Sequence, residues 1–248
     1  MPPTQTKFIA FTSQKGGVGK STFNILAASC FHFLAGQQVA IIDCDQPQSS
    51  IAKLRENELA DLEEDAEKQE RFSSLNRPAY SVFDCTLEEA AQYIKQLDGK
   101  VDLVFIDMPG TLNNPALPAI WAKLDYIFIP LEGDEINVSA SEGFVAVIEN
   151  YIKKQPGNRL KGYYTFWNRH NKSIKQDFYQ EIEGYFKERK IPMLQTKVEL
   201  SVNYQRKSLR STIFPPEKQH SNSGLATLMK ELASIIYKQP SQGAIEKA

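Results

Sequence analysis

Close to the amino terminus, glycines alternate with lysines and hydroxyls in "SQKGGVGKST", residues 13–22. Glycine lets backbone N–H groups approach an anion with no side chain in the way, and an adjacent lysine adds a mobile cation. Gly16, Gly17 and Gly19 therefore form a candidate phosphate cradle. Lys20 would reach the β- and γ-phosphates, the Ser21 hydroxyl would meet Mg2+, and Thr22 would support the α-phosphate. The general pattern GxxxxGK[ST] puts its first glycine at position 14, where this chain has Gln14. A second lysine, Lys15, stands before the glycines, although an ordinary phosphate loop needs only one.

Carboxylates follow at the ends of apolar runs. "VAIIDCDQPQSS" carries Asp43 and Asp45, and "VDLVFIDMPG" carries Asp107 before a Pro-Gly turn. "YYTFWNRH" ends an aromatic run with Asn168, an amide that also suits a turn. Two basic clusters remain. "NYQRKSLRS" brings Arg206, Lys207 and Arg210 together beside Tyr204, and "NRHNKSIK" brings Arg169, Lys172 and Lys175 together. Phosphate contacts from such clusters would give salt-sensitive, sequence-blind affinity for nucleic acid, and the same residues read equally well as a solvated face.

The elements that must position these groups are visible as short apolar runs between helical patterns. Strands are expected at KFIAFT (7–12), QVAIID (38–43), VDLVFID (101–107), DYIFIPL (125–131) and KGYYTFWN (161–168), with weaker signals at LQTKV (194–198) and STIF (211–214). Their nearly continuous apolar character is that of strands buried on both faces of a parallel sheet. Helices are expected over 21–34, with Gly36 as its cap, and over 86–97, 138–154, 174–190 and 224–237. The charged stretch 53–71 reads as a solvated rim helix, with a partner-binding element as the alternative. Strands alternating with helices make a doubly wound, mostly parallel α/β sheet flanked by helices. One domain is expected over 1–248, with a disordered tail from about 239.

Composition narrows the function classes. A net charge of −1 gives no bulk attraction to nucleic acid or anionic membrane, so any such binding must be local. Cys30, Cys44 and Cys85 form no CxxC, which argues for structural thiols in a reducing cytoplasm and against zinc or iron–sulfur chemistry. His32, His170 and His220 are equally scattered. The start, MPPTQTKF, is not expected to be a signal peptide, and no apolar run is long enough for a membrane span.

"KGGVGKST" resembles the deviant Walker A motif, xKGGxxK[ST], of the ParA/MinD family of P-loop ATPases, and the resemblance extends through nearly the whole chain. It implies a SIMIBI-type P-loop fold, ATP and Mg2+ as ligands, and an ATP-sandwich homodimer in which Lys15 contacts the nucleotide of the other subunit. ATP contacts are then expected from Lys15, Gly16, Gly17, Val18, Gly19, Lys20, Ser21 and Thr22. The DCDQPQ segment is similar to the family's DxDPQ, with one residue more before the proline. That similarity assigns Asp45 to Mg2+ and the attacking water and leaves Asp43 a supporting role. VDLVFIDMPG resembles the Walker B strand, so Asp107 would hold Mg2+ through water. Pro109 and Gly110 would then belong to a switch over 109–112. Asn168, Glu199 and Leu200 map to adenine contacts.

Within the resemblance, the absent CxxC disfavours iron–sulfur carriers, and the tail after Tyr237 lacks an amphipathic membrane helix, so no stable membrane attachment is expected. A metabolic ligase on this scaffold would not need Lys15. The expectation is a slow, partner-stimulated ATPase and dimerisation switch in plasmid, chromosome or mobile-element partitioning, with non-specific DNA binding and a ParB-like activator. With no room before Lys7 for a helix-turn-helix, operator recognition is not expected. The alternative is an ATP-dependent protein-positioning or conjugation-accessory ATPase that does not bind DNA.

Overall fold

In the computed structural model, residues 5–111, 113–173, 176–199, 210–216 and 224–237 are described. Seven strands form one parallel sheet: β1 (Lys7–Phe11), β2 (Val39–Asp43), β3 (Ser81–Asp84), β4 (Leu103–Asp107), β5 (Tyr126–Leu131), β6 (Gly162–His170) and β7 (Met193–Glu199). Their spatial order is β3-β2-β4-β1-β5-β6-β7. Every residue of β2, β4 and β5 is buried, as the continuous apolar runs require of strands covered on both faces.

Alternate residues build the two halves of the core. Ile9, Phe11, Ile41, Phe105 and Phe128 face α1 (Lys20–Ser29), the start of α2 (Ser50–Glu64) and α8 (Leu225–Ile236). Phe11 anchors this side, its ring 5.5 Å from Phe23 and 5.4 Å from Phe128, with Phe166 edge-on at 6.2 Å. Phe8, Ala10, Ile42, Val104, Ile106 and Ile127 face the other side. There they meet α4 (Leu87–Leu97), α5 (Leu117–Trp121), α6 (Glu135–Asn150) and α7 (Gln176–Glu188). Helix α4 opens on a capping box in which Thr86 and Glu89 satisfy each other's backbone N–H. Cys44 and Cys85 are buried with Sγ atoms 3.8 Å apart, and burial alone pushes the Cys30 thiol up to about 12.

Several expectations need correction. The helix over 21–34 closes as α1 at Ser29 and continues as a wider π turn, Cys30–Leu34, before Gly36 takes φ +73°. Residues 53–71 are divided between α2 and a separate α3 (Ala66–Ser74), because Asp65 leaves the helix and caps the second one through Lys68 N. Residues 211–214 form no strand. Side chains hold them instead: Arg55 donates to Thr212 Oγ1 (2.7 Å) and Thr212 O (2.8 Å), and Glu58 accepts from Thr212 N (2.8 Å). Strand β3 and helix α5 were not expected. The edge strand β7 is closed to further pairing along part of its length, because Glu231 of α8 accepts from Gln195 N (2.8 Å) and Thr196 N (3.0 Å).

Residues 1–4, 112, 174–175, 200–209, 217–223 and 238–248 lie outside the described residues. They include Leu112, which is the last residue of the switch segment, Lys175, Leu200, Tyr204, Arg206 and Lys207, together with the tail expected from about 239.

Candidate functional site

A parallel sheet delivers the carboxyl ends of its strands to one edge, and the loops leaving them make the crevice in which ligands of open α/β folds bind. Here β1 runs into the glycine loop and that loop into α1. Gly17 and Gly19 have φ +77° and +95°, values that a side chain would strain. Lys20 begins α1, is 8% exposed, and donates from Nζ to the Lys15 carbonyl at 3.1 Å. Its ammonium thus lies over the loop. The Lys15 side chain faces outward: it is 38% exposed, with Nζ 3.8 Å from Asp134, the residue that caps α6. Two lysines of one loop therefore meet opposite environments.

The acidic wall follows from strand register. Asp43 pairs with Asp84 on one side and with Asp107 on the other, so three carboxylates end adjacent strands at one level. They continue the side-chain rows that face α1 and α2. Asp43 Oδ2 accepts from Ile51 N (2.9 Å) and Ala52 N (3.1 Å), and its Oδ1 accepts from Asp45 N (3.3 Å). It is the anchor for the first turn of α2. Burial raises its pKa, and these hydrogen bonds pull it back. Asp45, the first acid beyond the sheet, is half-buried.

Asp107 is fully buried, and burial pushes its pKa up to about 7; the Asp43 and Asp45 charges add to the rise, while the Ser21 and Asn24 side chains oppose it. Asn24 Nδ2 donates to Asp107 Oδ1 at 2.9 Å, and Asp107 Oδ2 has no partner among the described residues. An orphaned carboxylate oxygen beside two further carboxylates and a serine hydroxyl fits a hard divalent cation such as Mg2+. Among the described residues no group of three or more His, Cys, Asp or Glu could hold a metal alone. A cation that keeps waters and phosphate oxygens needs no such group.

Gly110 sits against the loop: a Cβ there would lie 3.2 Å from the Ser13 and Gln14 carbonyl oxygens and 3.3 Å from Lys20 Nζ. Pro109 beside it is half-buried. The structure therefore brings Lys20, Ser21, Asp45, Asp107 and Gly110 to one crevice. Asn168, at the end of β6, donates from Nδ2 to Val18 O at 2.9 Å, so this amide ties the phosphate loop to the sheet. Glu199 ends β7 and forms a 2.7 Å ion pair with Lys172.

The expected basic face is in part neutralised. Besides that pair, Arg169 meets Glu132 at 2.7 Å. Arg210 is half-buried. Asn24 and Asp134 were not singled out in the sequence. An amide within the apolar stretch FNILAAS was the signal for the first, and nothing local marked the second.

Residues 9–212 match the family described as the CobQ/CobB/MinD/ParA nucleotide binding domain. The chain belongs to that family, whose members bind nucleotides. A plasmid partition protein from Borrelia burgdorferi is 19% identical, with a TM-score of 0.59 over 92% of this chain and 100% of that one. A chain of the MinC:MinD cell division protein complex of Aquifex aeolicus is a second kind of neighbour. That structure matches at 16% identity and TM-score 0.61, over 95% of this chain and 98% of that one. The septum site-determining protein MinD from Pyrococcus horikoshii, complexed with Mg-ADP, is 17% identical with a TM-score of 0.57, over 94% and 96%. Such likenesses establish the fold, a seven-stranded parallel sheet flanked by helices as in these proteins. Among the described residues no helix is long and apolar enough to cross a membrane.

Proposed function

We propose that this chain binds and hydrolyses Mg-ATP and uses the nucleotide to switch between monomer and homodimer in the partitioning of plasmid, chromosomal or mobile-element DNA. The observation that carries the reading is the division of labour between the two lysines. Lys20 is folded over its own loop, whereas Lys15 projects outward, held among the described residues only by a 3.8 Å ion pair with Asp134 that it would exchange for a nucleotide held by a second subunit. A plasmid partition protein among the structural neighbours supports the setting.

In this reading Lys20 and the amides of Gly16, Gly17, Val18 and Gly19 cradle the phosphates, with Thr22 at the α-phosphate. Ser21, Asp45 and Asp107 are the residues that would hold Mg2+, partly through water; when bound, it neutralises charge on the β- and γ-phosphate oxygens. Asp45 orients a water for attack on the γ-phosphorus, giving ADP and phosphate. Gly110, packed on the loop, senses the γ-phosphate through its backbone N–H. Across the dimer Lys15 adds positive charge where negative charge accumulates. Asn168, Glu199 and Leu200 remain the candidates at the adenine. DNA contact is assigned to Arg206, Lys207 and Arg210, and a ParB-like protein would stimulate hydrolysis.

A second reading keeps the ATP switch and removes DNA: a protein-positioning or conjugation-accessory ATPase. The Arg169–Glu132 and Lys172–Glu199 pairs favour it, since they neutralise part of the basic surface.

The test uses the Asp45→Ala protein, to trap the ATP state, with fluorescence anisotropy on non-specific duplex DNA at two salt concentrations. Tight, salt-sensitive binding with ATP and none with ADP supports partitioning. No binding in either state, with dimerisation intact, selects the second reading. Light scattering of Lys15→Ala completes the test: nucleotide binding persists and ATP-dependent dimerisation or hydrolysis is lost. Wild-type dimerisation and turnover in that variant refute the role given to Lys15.

A further inference from the structure

Asn24 lies in a stretch of α1 that is buried all round, between Phe23 and Ile25, and is itself fully buried. An amide costs desolvation in such surroundings unless its groups are paired. An apolar side chain of similar size would fill the same space without that cost, so the hydrogen bond to Asp107 is the feature to explain.

Strand β4 fixes the backbone of Asp107 but not the rotation of its carboxylate, whose last torsion is broad in aspartate. Three groups follow one another on the first turns of α1: Lys20, Ser21 at the next position, and Asn24 four residues after Lys20. The i, i+3 and i, i+4 spacings put Ser21 and Lys20 on the same helix face as Asn24. A single rigid helix thus presents a hydroxyl and an amide donor to one carboxylate, while its first residue, Lys20, turns its ammonium over the loop. Asn24 Nδ2 takes Oδ1, and the other oxygen, Oδ2, has no partner among the described residues.

We infer that Asn24 is a positioning residue for the cation site: it holds Asp107 by Oδ1 so that Oδ2 is already turned towards a divalent cation. This rests on the reading of Asp107 as part of the Mg2+ site. The amide acts through Asp107 and touches neither phosphate nor cation. Its removal lets the carboxylate rotate, and the cation then has to bear the cost of fixing it. Groups that orient a metal-binding side chain in this way typically contribute 10- to 100-fold in metal affinity.

The test is the Mg2+ dependence of nucleotide binding, read with a fluorescent methylanthraniloyl ADP on the full chain. Each protein is titrated with nucleotide in EDTA, then with Mg2+ at fixed nucleotide. Asn24→Leu keeps the side-chain volume and Asn24→Ser shortens it, so a folding failure in the first leaves the second to decide. The expected result is nucleotide affinity in EDTA within about 2-fold of wild type, with the Mg2+ concentration for half-saturation raised by roughly 10-fold or more. Binding weakened equally in EDTA and in Mg2+ makes Asn24 a merely structural residue and overturns the inference. Unchanged Mg2+ half-saturation in both variants overturns it too, while a normal wild-type response leaves the metal reading standing. A wild type whose nucleotide binding ignores Mg2+ removes that reading and the inference together.

Discussion

Asn168→Ala separates two roles that one amide could have. The resemblance to ParA-type proteins assigns Asn168 to adenine, yet its Nδ2 donates to the Val18 carbonyl at 2.9 Å, and a Cβ on Gly19 would approach the same nitrogen to 3.0 Å. Both observations make the amide a tether between β6 and the phosphate loop. Truncation leaves a buried carbonyl without its donor, a loss of about 2 kcal/mol within the usual range of about 1–3 kcal/mol. For a chain of this size that corresponds to a melting temperature lower by roughly 4–8 °C. Whatever part of the loss falls on ordering the loop around the ligand weakens binding, by at most about 30-fold at 1.4 kcal/mol per decade. The assay compares ATP with inorganic tripolyphosphate, which has no base, by calorimetry. A tether weakens both by the same factor. If ATP weakens while tripolyphosphate is unaffected and the melting temperature holds, the tether argument is wrong and the base contact is right.

Gly110→Ala should lower ATP affinity about 10-fold with the fold intact by circular dichroism, because its Cβ would press on two backbone carbonyls 3.2 Å away that cannot swing aside. Asp107→Asn should stabilise the nucleotide-free protein at pH 8 while impairing Mg2+-dependent binding. The sign follows from burial: Asp107 moves from 3.8 to about 7, so the folded state holds the proton more tightly than the unfolded chain. This group's contribution to stability is therefore lost as pH rises from about 4 to 7, by up to about 4 kcal/mol. Urea unfolding in EDTA at pH 5 and pH 8 should show the wild-type difference shrink in the variant, and an unchanged difference would remove the assignment. Arg55→Ala should cost about 3 kcal/mol in a denaturant melt, since the side chain donates to Tyr80 O (2.7 Å), Thr212 Oγ1 (2.7 Å) and Thr212 O (2.8 Å). A loss below about 1 kcal/mol would mean that water replaces the clamp.

What could be read in advance depended on how local its cause was. The runs in β2, β4 and β5 are apolar throughout because helices cover both faces, so they stand out in the sequence. β3 is four residues, SVFD, exposed at both ends, and only its pairing with β2 distinguishes it from a loop. STIF carries β-propensity but no neighbouring strand claims it. Such propensity reports packing on a pleated surface, and here Arg55 and Glu58 from α2 provide the hydrogen bonds instead. The basic cluster around Arg169 was legible as charge. Its neutralisation was not, because Glu132 and Glu199 come from other strands' ends. The glycine loop needed the least context, since its conformation is written in its residue types.

The pair of acids in DCDQPQ shows how register decides what residue type leaves open. Either aspartate could orient a water. Asp43, however, is the last residue of β2, in register with Asp84 and Asp107, and its side chain follows Ile41 towards the helices. There it accepts three backbone N–H groups, two of them from the first turn of α2. A carboxylate so engaged cannot turn towards a water without releasing that turn. Asp45 lies two residues further on, beyond the last paired position, half-buried and near enough to Asp107 for its charge to act on that carboxyl. Even with the extra residue before the proline, the end of the strand assigns the structural task to the first aspartate. The second is left for the proposed water-orienting role.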